Sequence, residues 1–286
     1  MAKKTSPNDA EVRAKAKAMR ESQRKADQRT RNIIFVAVGI IVVALIVAIV
    51  FAVKSDTVGK AQSGDGGVPA QFAQGEPIVI SHLGVGESDP NLDDLDLYTS
   101  FTCSYCAILE DAAGPALLGG ALNGDYNLAI HPVSASVMPY LYPSTNAILR
   151  VAADAPDQFA AFFSALYGFT YSSLESGDTS TLSDLRKSTL EVAEIAANVG
   201  VPQNVIDQFS DDAQNYLTLS NQAWGAREVQ GRQGNPGSPE IVFKDTKIEW
   251  TRSTEPNVTF DSIIAGMTAL GYVPGGSGAA QSAESE

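Results

Sequence analysis

Apolar and polar positions follow three rhythms along this 286-residue chain, and each predicts a different kind of element. Residues 33–53, IIFVAVGIIVVALIVAIVFAV, form a run of 21 positions without a charged or polar side chain. As an α-helix the run rises about 31 Å at ~1.5 Å per residue, enough to cross a hydrocarbon core of about 30 Å. Globular helices rarely stay apolar around the whole circumference for that length, so the run predicts a membrane-spanning helix. Further on, PIVISHLGV (77–85) is rich in β-formers and bounded by Pro and Gly, which predicts a first strand. DLDLYTSF (94–101) alternates apolar and polar positions and predicts a second strand that runs into the two cysteines. CAILEDAAGPALLGGAL then reads as a helix interrupted at Gly114-Pro115, because proline removes a backbone donor and clashes with the preceding turn. Asn123-Gly124 predicts a turn, and 129–133 a strand.

From 144 to 228 the apolar positions recur at three- and four-residue spacing, and Gly200-Val201-Pro202 divides two of the predicted helices. GSPEIVFKDTKIEW predicts strands at 240–243 and 247–250 around a turn at Lys244, Asp245 and Thr246. A last helix over 259–270 presents Phe260, Ile263, Ile264 and Met267 on one face. This order is α/β, with helices on a small mixed sheet and a helical insertion at about 144–230.

Composition adds boundaries. Residues 54–76 are small, polar and Gly-rich and predict a flexible linker. Residues 274–286 have a similar composition and predict a disordered tail, which leaves 77–273 as the folded domain. Charge is divided: residues 1–32 carry ten Lys/Arg against four Asp/Glu, and the rest carries ten against twenty-nine. Arg20, Arg24, Lys25, Arg29 and Arg31 precede the apolar run, whereas Lys54 and Lys60 follow it. The positive-inside rule keeps the N-terminus cytoplasmic and exports the acidic body, giving a single-pass protein of the cell membrane. A cleaved signal peptide would have an apolar region of roughly 7–15 residues and a small-residue cleavage site. Here FAVKSD lacks such a site, so an uncleaved signal-anchor is expected. The basic head reads as a topology signal, and no nucleic-acid partner is expected.

Cys103 and Cys106 are the chain's only cysteines. Tetrahedral zinc takes four ligands, commonly in two close pairs, and His82 and His131 do not have that spacing, so no metal site is predicted. A structural bridge between residues three apart closes a very small loop, and the entropic benefit of a cross-link grows with loop length. A redox centre accounts for the placement at a strand-to-helix junction. There, helix N–H groups and the dipole stabilise a thiolate at Cys103, and Cys106, one turn in, resolves a mixed disulfide. Three readings follow. The leading one is thiol–disulfide exchange, the second an interaction module with a structural disulfide, the third a metallochaperone.

LYTSFTCSYC, the helical block before the last hairpin, and GSPEIVF at its opening resemble the DsbA-like branch of the thioredoxin superfamily over most of 77–272. The anchored layout with a Gly-rich tether is similar to envelope members of Gram-positive actinobacteria. The resemblance implies a thioredoxin fold with a helical insertion, plus the N-terminal transmembrane helix. It also implies a redox-active Cys103–Cys106 disulfide with no other cofactor, and a cis-proline at Pro239, preferred over Pro236, opposite the cysteines. Ser238, Ser104 and Tyr105 would then contact the substrate, and Phe101, Tyr140 and Tyr142 could line a groove for it. The implied partners are exported proteins with thiols or disulfides, and a separate redox partner that resets the pair.

Two departures matter. Ser104-Tyr105 replaces the Pro-His often found between the cysteines, so a strongly oxidising character is not implied and the direction is left open. Leu97 occupies the position where relatives often carry a buried acid. Asp96 should face the other side of the strand. Water or Glu110 is left to move the proton, and His131 is the one further candidate helper.

Overall fold

The computed structural model describes residues 67–255 and 257–274. The basic segment 1–32, the apolar run 33–53, most of the expected linker and most of the expected tail lie outside the described residues. Among the described residues, no helix is long and apolar enough to cross a membrane.

The segment before the first strand corrects the expected linker boundary. Val68 and Phe72 are buried, Gly67 O accepts from Arg150 Nη2 at 2.6 Å, and Tyr216 Oη donates to Glu76 O at 3.0 Å. Small polar composition pointed to a tether, but two apolar anchors are enough to dock residues 67–76 on the body. The predicted strand 77–85 is likewise a hairpin, β1 (Ile78–Ser81) and β2 (Gly84–Val85), with Ser81 opposite Gly84. The chain reverses at His82-Leu83 because Gly84 adopts φ 125°, and Ser81 Oγ accepts from the Leu83 N–H at 3.0 Å.

β3 (Asp94–Thr99), α1 (Ser104–Leu122) and β4 (Asn127–Pro132) form the central crossover unit. β3 and β4 run parallel, in register from Asp94 opposite Asn127 to Thr99 opposite Pro132. α1 is continuous through Pro115, against the predicted interruption. Its buried face, including Cys106, Leu109, Ala113 and Leu117, packs into the main core, and that burial outweighs the one backbone bond proline forfeits.

The insertion holds α2 (Leu141–Asp154), α3 (Phe159–Ser176), α4 (Leu185–Asn198), α5 (Gln203–Ile206) and α6 (Gln214–Ala226). β5 (Glu240–Phe243) and β6 (Thr246–Ile248) close the sheet, and α7 (Val258–Ala269) ends the body. The turn between β5 and β6 puts Lys244 and Asp245 at φ 48° and 54°, the left-handed two-residue loop whose twist suits a hairpin.

The strand order is β2-β1-β4-β3-β5-β6, and every pair except β3–β4 is antiparallel. This is the expected small mixed sheet with flanking helices. Alternation along β3 sends Leu95 and Leu97 into the core shared with α1, whereas Tyr98 joins Val133, Trp224 and Val242 in a separate cluster on the far face.

Phe101, between β3 and α1, fastens the insertion to the cysteine turn. It is fully buried, stacks on Tyr167 at 4.9 Å and meets Phe163 edge-on at 6.0 Å, and its carbonyl accepts from Thr170 Oγ1 at 2.7 Å. Phe101→Ala should therefore cost about 3–5 kcal/mol of unfolding free energy, read by urea denaturation. A loss below ~1 kcal/mol would mean that the insertion is held elsewhere.

Candidate active site

The turn after β3 delivers Cys103 to the N-cap of α1, with φ −96° and ψ 122°. Its N–H donates to Ser100 O at 3.1 Å and its carbonyl accepts from the Ala107 N–H at 3.1 Å. Thr102 and Ser136 secure the approach: Thr102 Oγ1 donates to Ser136 O at 2.7 Å, and Ser136 Oγ donates to Thr102 O at 2.8 Å. Both cysteines are free thiols. Cys103 is half-buried and Cys106, one turn along the same helix face, is 2% exposed.

Ser238 comes from across the sheet. β5 pairs with β3 so that Tyr98 lies opposite Glu240, which carries the preceding residues past the end of β3 to the start of α1. The Ser238–Pro239 peptide bond is cis. Cys103 Sγ donates to Ser238 O at 3.4 Å, and Cys106 Sγ lies 2.9 Å from Ser238 Oγ. One residue from a distant segment thus touches both sulfurs.

These surroundings separate the two thiols. The neighbouring Cys106 thiol is the largest influence drawing Cys103 down to about 6 from an ordinary 9.0; the Cys106 and Tyr105 N–H groups and Ser238 add to it against the cost of burial. Cys103 makes no full capping hydrogen bond, yet the first turn of α1 holds no acid to compete with a thiolate there. Burial, then the adjacent Cys103, pushes Cys106 well above its ordinary value. The arrangement can therefore hold a nucleophilic thiolate at the accessible sulfur and a protonated thiol behind it.

With this geometry in view, the solved structures are informative. A thiol-disulfide oxidoreductase, MdbA of Actinomyces oris, superposes with a TM-score of 0.57 at 21% identity, over 73% of this chain and 96% of its own. The chain has a DsbA-like thioredoxin fold. DsbG of Mycobacterium tuberculosis aligns at 20% identity and TM-score 0.47, over 74% of this chain and 96% of its own. DsbA of the same organism aligns at 16% and 0.45, over 67% and 99%. No protein-family model matches the sequence, and no curated protein matches it either.

Within this DsbA-like fold the predicted residues separate into two groups. Cys103, Cys106, Ser238 and Pro239 converge, and Ser104 and Tyr105 are exposed between the cysteines. Arg252, unforeseen in the sequence, lies over the Tyr105 ring with its guanidinium carbon 5.8 Å from the centroid. His131 is not brought to the thiols. It lies opposite Tyr98, stacks on that ring at 4.3 Å, and its Nε2 is 2.8 Å from Asp96 Oδ1. Asp96 also pairs with Arg227 at 2.9 Å on that far face, whereas Leu97 faces the core shared with α1. His82 sits in the β1–β2 turn. Phe101 and Tyr140 are fully buried and line no groove, while Tyr142 is half-buried against the core. Among the described residues no cluster of three or more His, Cys, Asp or Glu could hold a metal.

Glu110 is the buried acid of this region, four residues after Cys106 on α1. It accepts from Ser164 Oγ at 2.7 Å, and its carboxyl occupies the space where a side chain at Gly114 would stand. Burial chiefly raises it from 4.5 to about 7, with Asp111 adding to the rise and Ser164 opposing it.

Two measurements test these environments. Absorbance of the thiolate at ~240 nm should titrate with a midpoint near 6 for Cys103, with no second thiolate below pH 9; a single midpoint above 8 would remove the basis for an activated sulfur. For Glu110, the folded chain keeps a proton that the unfolded chain releases between about 4.5 and 7, so its contribution to stability falls as pH rises through that window and is level above it. Relative to wild type, Glu110→Gln should gain up to about 3 kcal/mol between pH 4.5 and pH 8 in urea titrations. A difference independent of pH would show that the carboxyl titrates in the folded chain as it does in the unfolded one.

Proposed function

We propose that the chain is a membrane-anchored, extracytoplasmic protein thiol–disulfide oxidoreductase that works through Cys103 and Cys106. The carrying observation is the difference in depth between the two sulfurs: Cys103 is half-buried at the N-cap of α1 and Cys106 is buried one turn behind it, with Ser238, before the cis Pro239, against both. A purely structural bridge has no use for that difference. The shared fold of a protein described as a thiol-disulfide oxidoreductase supports the same reading.

In the oxidising direction a substrate thiolate attacks Cys103 Sγ of the Cys103–Cys106 disulfide. The S–S bond breaks, and Cys106 leaves as a thiolate that takes a proton. Ser238 Oγ, 2.9 Å away in the reduced form, is placed to donate a hydrogen bond to that sulfur. A second substrate thiolate then attacks the substrate sulfur of the mixed disulfide, and Cys103 leaves, favoured by its depressed pKa. The substrate dithiol loses two electrons and two protons; the enzyme gains both electrons and one proton, on Cys106, while the other proton goes to solvent because Cys103 stays a thiolate. The reducing direction runs through the same species, so the partner that resets the pair sets the direction of flow.

An extended substrate backbone would pass beside Pro239 and meet Ser238, and the exposed Ser104 and Tyr105 would flank it at the Cys103 sulfur. The apolar run 33–53, the basic residues before it and the acidic body after it support an anchored, exported domain. Its substrates would be exported proteins bearing thiols or disulfides.

Replacing Cys106 with Ala removes the resolving thiol and should trap mixed disulfides with exported proteins through Cys103, visible as reducible high-mass species after acid quenching. The Cys103→Ala variant should trap none. The absence of adducts, together with a wild type that neither oxidises nor reduces a model dithiol peptide, would sink the enzymatic reading.

A further inference from the structure

A buried charge pair on the far face of the sheet has no part in the exchange described above. Glu240, the first residue of β5, is 1% exposed. Its carboxylate takes both prongs of Arg232, Nε to Oε1 at 2.9 Å and Nη2 to Oε2 at 2.6 Å, and accepts from Trp224 Nε1 at 2.7 Å. The remaining nitrogen, Nη1, donates to Arg227 O at 2.6 Å and to Trp224 O at 3.2 Å, closing the C-terminal end of α6. One guanidinium therefore joins α6, the connection after it and β5.

That connection, 227–239, is the segment that delivers Ser238. It contains Gly231, Gly234 and Gly237 and has little capacity to hold a shape of its own. Gln230 is tied to the β5–β6 hairpin through Asp245 O at 2.8 Å and the Lys247 N–H at 2.9 Å. Residues 233–237 make no hydrogen bond among the described residues, so the stretch hangs between Arg232 on one side and Ser238 on the other. Burying an ion pair seldom adds net stability over apolar side chains of the same volume, and in some proteins such a pair instead specifies one arrangement of the chain. Ser238 needs orientation, because it meets Cys103 with its carbonyl and Cys106 with its hydroxyl at once.

We propose that Arg232 and Glu240, with Trp224, are positioning residues for the exchange, holding the 227–239 connection so that Ser238 lies against both sulfurs. They touch neither sulfur and act through the backbone of residues 238–240. This rests on the proposed exchange activity for its consequence, but not for its geometry.

The test compares the full-length protein with Arg232→Met/Glu240→Leu, which removes both charges together and leaves neither unpaired, and with Arg232→Lys, which keeps the charge but lacks the planar fork. Both variants should fold. The double variant should shift the Cys103 thiolate midpoint upward by about 0.3 pH unit, a roughly twofold loss of preference for the thiolate, because Ser238 is the smallest of the influences that lower it, and Arg232→Lys should shift it in the same direction by less. Exchange with a model dithiol peptide should slow by roughly tenfold in the double variant through misplacement of Ser238. If the double variant does not fold, Arg232→Lys carries the same two measurements. A folded variant with an unchanged midpoint and unchanged exchange rate overturns the proposal. A wild type that exchanges nothing overturns the enzymatic reading instead, while the Cys103 midpoint still decides whether the clamp positions Ser238.

Discussion

The antiparallel pairing of β5 with β3 is the constraint on which the site depends. With Tyr98 opposite Glu240, the residues before β5 must run past the end of β3, where the chain turns into α1. A strand slipped by one residue would send Glu240 into the core and carry Ser238 away from the sulfurs, because side chains alternate faces along a strand. The same register puts Val242 with Tyr98 and Trp224 on the far face and Ile241 and Phe243 in the main core. Packing on both faces therefore enforces the alignment that assembles the site.

Given that alignment, the two sulfurs differ by depth along one helix. At the N-cap, Cys103 meets first the Cys106 thiol and then backbone N–H groups that have no helical partner, and both favour a negative sulfur. One turn inward, Cys106 has lost water and faces its neighbour's charge, which favours the neutral thiol. Ser238 reaches both, and Phe101 anchors the turn between β3 and α1 to the insertion. Reactivity is thus a property of the two cysteines together with the junction of elements that holds them.

Much of this was legible in the chain. The strand 240–243 matches β5, since a β-branched apolar run after proline has few alternatives. The strand-to-helix location of the cysteines and the far-face placement of Asp96 follow from local periodicity. Other features were misread for physical reasons. The strand 77–85 is a hairpin because Gly84 permits a reversal that β-propensity does not reveal. The helix through Gly114-Pro115 continues because its buried face compensates the proline, and Glu110 fills the space above Gly114. Residues 67–76 dock through Val68 and Phe72, two apolar positions within a polar composition.

The sequence by itself determined the order of elements, the charge division around the apolar run, and the presence of two thiols one helical turn apart. These depend on residues close together in the chain, whose periodicity and spacing carry their physics directly. Only the tertiary structure decided which distant groups meet those thiols. Ser238 lies 135 positions from Cys103, His131 turns to Asp96 rather than to a sulfur, and Arg232 finds Glu240 through a connection with no periodic pattern. Such contacts follow from strand register and the closing of the sheet, and no local spacing encodes them.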